Sequence, residues 1–302
     1  MGIFDRVTAG LARRFAAESV ERARADARWS PALKVGLRHL WMHYADRASR
    51  GEAFGDISAA GFRIFSQFEE DGIALALLAS LGDGSRLFVD IGAGDGVFAN
   101  NCANLAINLG FHGLFIDANA ALVERGRAFY AEHPDTSLYP PVFANAEVTP
   151  ATVNDLVGAV GFGGEIDFLS IDIDGNDYWV WEALTVVEPR VVVIETHPEL
   201  GHRSLVAPYA KDPARVPGMP AHFLGASPAA MTTLAARRGY RLVAANRFGF
   251  NLFYVREELA TPAMPAVQPD DLFRHPRAKA RALPDSALAG LPFAEPSENG
   301  PR

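Results

Sequence analysis

The chain has 302 residues, 49% hydrophobic and 21% charged, which is enough apolar material for one large core with extensions. Its formal net charge of -8 argues against DNA or RNA as a partner, because nucleic-acid binders concentrate Lys and Arg on one face. A single cysteine, Cys102, excludes an internal disulfide, and no Cys and His cluster has zinc-ligand spacing, so a reducing, cytoplasmic setting is expected.

The opening MGIFDRVTAGLARRF lacks a continuous apolar stretch with a cleavage site, and no run approaches the roughly 20 apolar residues of a membrane span. Neither export nor an integral membrane segment is expected. Ile3, Phe4, Val7, Leu11 and Phe15 set against Arg6, Arg13 and Arg14 suit a surface helix. Such a stripe packs on its own domain or on a partner subunit, as in a homodimer, or rests on a membrane surface. Residues 1–74 read as a helical cap, with Leu37, Leu40, Trp41 and Tyr44 at helical spacing. SQFEEDG, residues 66–72, leads into a helix through IALALLASL that Gly82 and Gly84 end.

From Arg86 the pattern becomes short β-rich runs separated by helical stretches: LFVDI, LFID, PVFAN, DFLSIDI and RVVVIE. This is the signature of a parallel sheet buried on both faces. After a long loop over 198–224, Ser227 and Pro228 start a helix that Gly239 ends, and RLVAAN and NLFYVR form an antiparallel hairpin. The expected fold is therefore a doubly wound, Rossmann-like α/β sheet over 75–256, mostly parallel with a C-terminal antiparallel hairpin. An N-terminal helical extension precedes it. Residues 257–302 form a tail, interrupted by eight prolines from Thr261 onward, that wraps the surface or is mobile.

In LFVDIGAGDGVFANN, residues 87–101, a strand leads into Gly92, Gly94 and Gly96 and then a helix, so the backbone can approach a ligand closely. About one βα unit later LFIDAN ends in Asp117, placed to accept from ribose hydroxyls. GDGVFA also satisfies a dinucleotide pattern, and the glycines alone do not decide. Charge tips the reading: Asp90 and Asp95 would repel a pyrophosphate, whereas S-adenosylmethionine carries a sulfonium and an ammonium.

IDFLSIDIDGNDYWVWEAL, residues 166–184, ends a strand in Asp172 and Asp174, and VVVIETH ends the next in Glu195 and His197. If the two strands are neighbours, these four side chains converge at the C-terminal edge of the sheet. There His197 or Asp174 could take a hydroxyl proton, or the four could hold Mg²⁺ or another divalent cation. The plainer alternative has Asp174 and Asn176 capping the helix and His197 bonding locally. Gln67, Glu70 and Asp71 either reach the methionine end of the cofactor or form a solvated helix start.

Taken in order, SQFEEDG, VDIGAGDGVFANN, LFIDAN, DFLSIDIDGNDYWVWEAL, RVVVIETHPELG and HFLGASPAAMTTLAARRGYRLV resemble the class I S-adenosylmethionine-dependent methyltransferases, particularly the FkbM-like group. The resemblance implies that Asp90 and the Gly92–Gly96 loop hold the methionine part and Asp117, with Ala118, the ribose. It places Asn145, Ala146 and Glu147 beside adenine, counts Gln67 and Asn101 among the cofactor-binding residues, and turns Asp172 toward the methyl group. It further implies O-methylation of a saccharide or natural-product-like acceptor. The chain departs from the group's pattern at Thr196 and His197, where a tyrosine and an asparagine are expected. Two other classes remain: an NAD-dependent oxidoreductase on a similar sheet, and a non-catalytic binding or assembly module.

Overall fold

The computed structural model describes residues 30–52, 55–211, 216–219, 224–261, 264–272, 275–276 and 282–294. The apolar stripe read over residues 3–15 lies outside the described residues. Helix α1, Pro31–Ser49, opens on Ser30, whose hydroxyl accepts from the Leu33 N–H, with proline in its first turn. Of its stripe only Leu37 is fully buried, and Trp41 meets Phe111 edge to face at 6.3 Å.

Residues 57–69 do not continue the helical cap. A short 3₁₀ turn, Ile57–Ala60, gives way to an irregular segment whose backbone N–H groups at Ile64, Phe65 and Ser66 all donate to one oxygen of Asp71. Those donors are thereby taken from any helical ladder. Helix α2, Glu70–Leu81, is buried from Glu70 to Ser80, so residue 74, the expected end of the cap, falls inside a core element. Its last carbonyls are capped by Arg190, which donates to Leu81 and Gly82 and pairs with buried Asp167 at 2.7 Å.

The strands are β1 Leu87–Ile91, β2 His112–Asp117, β3 Val142–Asn145, β4 Gly164–Ile171, β5 Val187–Glu195, β6 Tyr240–Ala245 and β7 Asn251–Arg256. They form one sheet in the order β3-β2-β1-β4-β5-β7-β6. The first five are parallel, and β7 runs antiparallel to both β5 and β6. The expected hairpin therefore forms, with its second strand inserted next to β5. Between the strands lie α3 Ala103–Asn108, α4 Ala120–Glu132, α5 Val153–Gly158, α6 Asp177–Ala183 and α7 Pro228–Arg237.

Strand alternation sends Phe88, Phe115, Phe168, Val193 and Phe253 to one face, where α2, α3 and α4 cover them. Val89, Ile116, Ile171, Ile194 and Tyr254 face α5, α6 and α7 on the other. A smaller cluster of Leu200, Ala207, Val216, Met219 and Leu288 ties the long loop to the C-terminal segment. There Leu283 donates to the Glu199 carbonyl, and Val206 bridges both Ala226 and Ala294. Over its described residues the tail thus wraps the loop. No helix among the described residues is long and apolar enough to cross a membrane.

Candidate active site

The C-terminal rim of the sheet carries one row of polar residues. Asp117 stands opposite Asn145, and Glu195 opposite Asn251. One residue beyond the pairs Ile91–Ile116 and Ile171–Ile194, the register sets Gly92 beside Asp117 and Asp172 beside Glu195. The ladder continues that far, with the Gly92 N–H donating to Ile116 and the Asp172 N–H to Ile91, each at 2.9 Å. The row therefore reads Asn145, Asp117, Gly92, Asp172, Glu195, Asn251. By alternation from Phe115, Phe143, Phe168, Val193 and Phe253, all of these except side-chain-free Gly92 project toward the α2 face.

Gly92 is the gap in this row. Its φ is +85°, and a Cβ there would lie 1.7 Å from the Asp172 carbonyl oxygen. Over the gap opens a cavity of about 350 Å³, whose lining includes Gly92, Asp117, Ala118, Ala146, Glu147, Asp172 and Asp174. That volume is in the range of small-molecule sites. Asp117 is held by backbone donors on both oxygens, from Gly94 at 2.7 Å and Asn119 at 2.7 Å. A carboxylate keeps further lone pairs for a ligand's hydroxyls.

Several expected cofactor residues lie outside the lining and have other tasks. Asp90 is buried and accepts from the Asn100 amide at 2.7 Å. Burial pushes its carboxyl up to about 6, against the lowering effect of hydrogen bonds from Asn100 and Ser170. Asn100 Oδ1 in turn accepts from Cys102 and Ala103, so α3 starts at Ala103 and not directly after the glycines. That side chain takes the first N–H of the helix. Gly94 lends its N–H to Asp117, Gly96 packs against Phe115 and Phe143, and Asn101 donates to Ser170 at 3.3 Å. Asn145 donates to the Asp117 carbonyl at 3.0 Å, and Gln67 is exposed.

The repulsion argument needs correction at Asp95. That side chain is 3% exposed, accepts from Val97 and Phe98, and is ion-paired with Arg125 at 2.8 Å. Its charge is compensated within the fold, and the acids that face the cavity are Asp117, Glu147, Asp172 and Asp174. Lys211, from the long loop, is the basic side chain among the described lining residues.

Asp172, Asp174 and Glu195 converge, each offering a carboxylate oxygen within 4.8 Å of the others. The capping alternative fails for Asp174 and Asn176: buried Asp177 fixes the loop by accepting from Ile173 and Gly175 at 2.9 Å each. Asp174 has φ +56° and is exposed, while Asn176 donates to Ala210 of the long loop. His197 stands apart from the three acids. Its Nδ1 pairs with Glu199 at 3.1 Å, and its ring lies against Gly225, where a Cβ would come within 2.4 Å of Cδ2. Glu70, whose Oε1 accepts from Asn246 at 2.8 Å and Asn251 at 3.0 Å, extends the polar rim.

Burial raises Asp172 to about 8 and Glu195 to about 10; the charges of Asp177 and Asp174 add to both, and that of Asp172 to Glu195, while a hydrogen bond with Glu195 lowers Asp172. The pair therefore retains a proton at neutral pH. In the unfolded chain Asp172 titrates near 3.8, so between roughly pH 4 and 8 the unfolded state binds fewer protons than the folded one. Stability drains away as pH rises through that window. The melting temperature of the free protein is expected to decline across it, which a calorimetric pH series would read.

No family model and no curated protein matches the chain. Among solved structures it is similar to magnesium protoporphyrin IX methyltransferase from Synechocystis PCC 6803 with bound SAM, at 17% identity and TM-score 0.37, covering 62% of this chain and 77% of that one. It is similar to an O-methyltransferase from Bacillus cereus in complex with SAH at 14% identity and TM-score 0.32, covering 52% and 66% of the two chains. An O-methyltransferase family protein from Burkholderia thailandensis aligns at 13% identity and TM-score 0.35, covering 74% and 70%. Likenesses this distant leave the functional case to the geometry of the site.

Proposed function

We propose that the chain is an S-adenosylmethionine-dependent methyltransferase acting on a hydroxyl of a small molecule, with a saccharide or natural-product-like alcohol as acceptor. The observation that carries this reading is the acid-lined cavity over Gly92, which suits a ligand that is cationic at its reactive end. Asp117 and Ala118 would take the ribose and Ala146 and Glu147 the adenine side. Asp172 would lie at the sulfonium.

When bound, the cofactor supplies an electrophilic methyl group. Asp172 and Glu195 would hold the acceptor hydroxyl toward that group, and an ionised Asp172 would take the proton that the hydroxyl loses on methylation. A neighbouring sulfonium favours that ionised form. His197 is a weaker candidate for this role, because its ring is turned toward Glu199 and Gly225. The three converged carboxylates are also hard oxygen donors of the kind Mg²⁺ takes, and calorimetry with Mg²⁺ and with a chelator tests that.

An NAD-dependent oxidoreductase fits less well. A pyrophosphate would meet four acids at the cavity over Gly92. Titration with S-adenosylhomocysteine and with NAD separates the readings, and binding of neither would favour the non-catalytic module. Asp117→Ala is expected to weaken S-adenosylhomocysteine binding by about 1 to 3 kcal/mol, as for loss of charge-assisted hydrogen bonds. Unchanged affinity in that titration would remove the ribose assignment.

A further inference from the structure

The polar rim does not end at Glu195. Asn251, its cross-strand neighbour, is 2% exposed, and its Oδ1 has no hydrogen-bond partner among the described residues, nor has Glu195 Oε2. The Asn251 oxygen is an acceptor, so the group that completes it must bring a donor. One strand further, Asn246 closes β6 with its N–H on the Asn251 carbonyl at 3.1 Å. Asn246 is also part of the wall of a second cavity of about 440 Å³.

This second cavity lies at the β6 edge of the same rim. Its apolar wall includes Ala59, Ala245, Val267 and Pro276, with Ser58 and Asn246 as neutral polar groups and Asp56 and Asp271 as acids. Glu69 and Arg247 also line it, and they form an ion pair with each other. His275, which also lines it, carries a partly exposed aromatic group: Phe248 lies against His275 at 4.9 Å, edge-on to Phe68 at 4.8 Å and stacked with Phe250 at 6.5 Å. The Phe250 carbonyl accepts from the Thr196 N–H at 2.6 Å, which keeps this group beside Glu195. Two strand spacings, about 10 Å, separate Asn246 from Glu195.

We propose that the second cavity holds the body of the acceptor, and that the acceptor is a neutral alcohol with an apolar ring system. Its hydroxyl reaches back past Asn251 to the carboxylates. This rests on the methyltransferase reading for its chemistry, but the cavity itself can be tested alone. The sequence of features along the rim is the argument: cofactor cavity, converged carboxylates, unpartnered oxygens, second cavity with an apolar wall.

The test uses 2-naphthol, a neutral ring alcohol, observed by saturation-transfer NMR on the full chain, with S-adenosylhomocysteine affinity measured by calorimetry on the same samples. Ala59→Trp fills the cavity from an exposed position, and Phe248→Ala removes the aromatic face. The expected result is binding to the parent protein that weakens about tenfold in each variant, with S-adenosylhomocysteine affinity unchanged. No binding to the parent protein, or equal binding to all three, would overturn the proposal. If S-adenosylhomocysteine fails to bind while 2-naphthol behaves as expected, the cofactor reading falls and the cavity assignment stands.

Discussion

Gly92→Ala is expected to remove cofactor binding and to lower the unfolding free energy by roughly 3 to 5 kcal/mol, the sum of a left-handed conformation and a severe overlap. The overlap is with backbone, since the new Cβ would sit 1.7 Å from the Asp172 carbonyl oxygen and 2.7 Å from its carbon. A backbone atom cannot swing away as a side chain does, so the ends of β1 and β4 would have to separate. Gly94→Ala supplies the control. Gly94 has φ +60° with nothing within 4 Å of a Cβ, so only the conformational cost of about 1 to 2 kcal/mol applies. Urea unfolding of the two variants decides the matter: equal losses would mean that the rim strands do not approach as closely as described.

Asp172→Asn is expected to move activity and stability in opposite directions. Turnover, followed as release of S-adenosylhomocysteine in the presence of an alcohol acceptor, should fall by about 10² to 10⁴-fold, the range for loss of a general base. The melting temperature at pH 8 should rise by several degrees, because an amide has no charge to desolvate and no repulsion with Asp177 and Asp174. The decline of stability with pH should flatten in the same variant. A joint loss of stability and turnover would show that Asp172 serves the fold and not the reaction.

Much of the fold was legible because the sheet is buried on both faces, so its strands are unbroken apolar runs bounded by glycine and charge. LFVDI and NLFYVR match β1 and β7 to the residue, and Ser227 with Pro228 marks the start of α7. The irregular segment before α2 was not legible. A carboxylate at Asp71 takes three successive backbone donors, and local propensity carries no sign of that.

The candidate site divides in the same way. Residues at strand ends, Asp117, Asp172 and Glu195, reach the rim because parallel register puts them there. His197 does not, because the chain turns at Pro198 after Glu195 ends β5. Partners distant in sequence were out of reach: Arg125 neutralises Asp95 from 30 residues away, and Glu70 meets Asn251 across 181. Asn251 carries no motif of its own, and SQFEEDG around Glu70 gives no sign of that partner. Only their meeting makes them part of the rim.

The bridges that join Val206 to Ala226 and to Ala294 also bear on the order in which the site can be completed during synthesis. The glycine shelf, Asp117 and the carboxylates belong to β1 through β5 and leave the ribosome first. Asn251 follows some 56 residues after Glu195, and the strand partner of Val206 at Ala294 later still. A nascent chain can thus shape its glycine shelf while the β6 edge is open, and the last described segment to emerge is the one that closes over the loop.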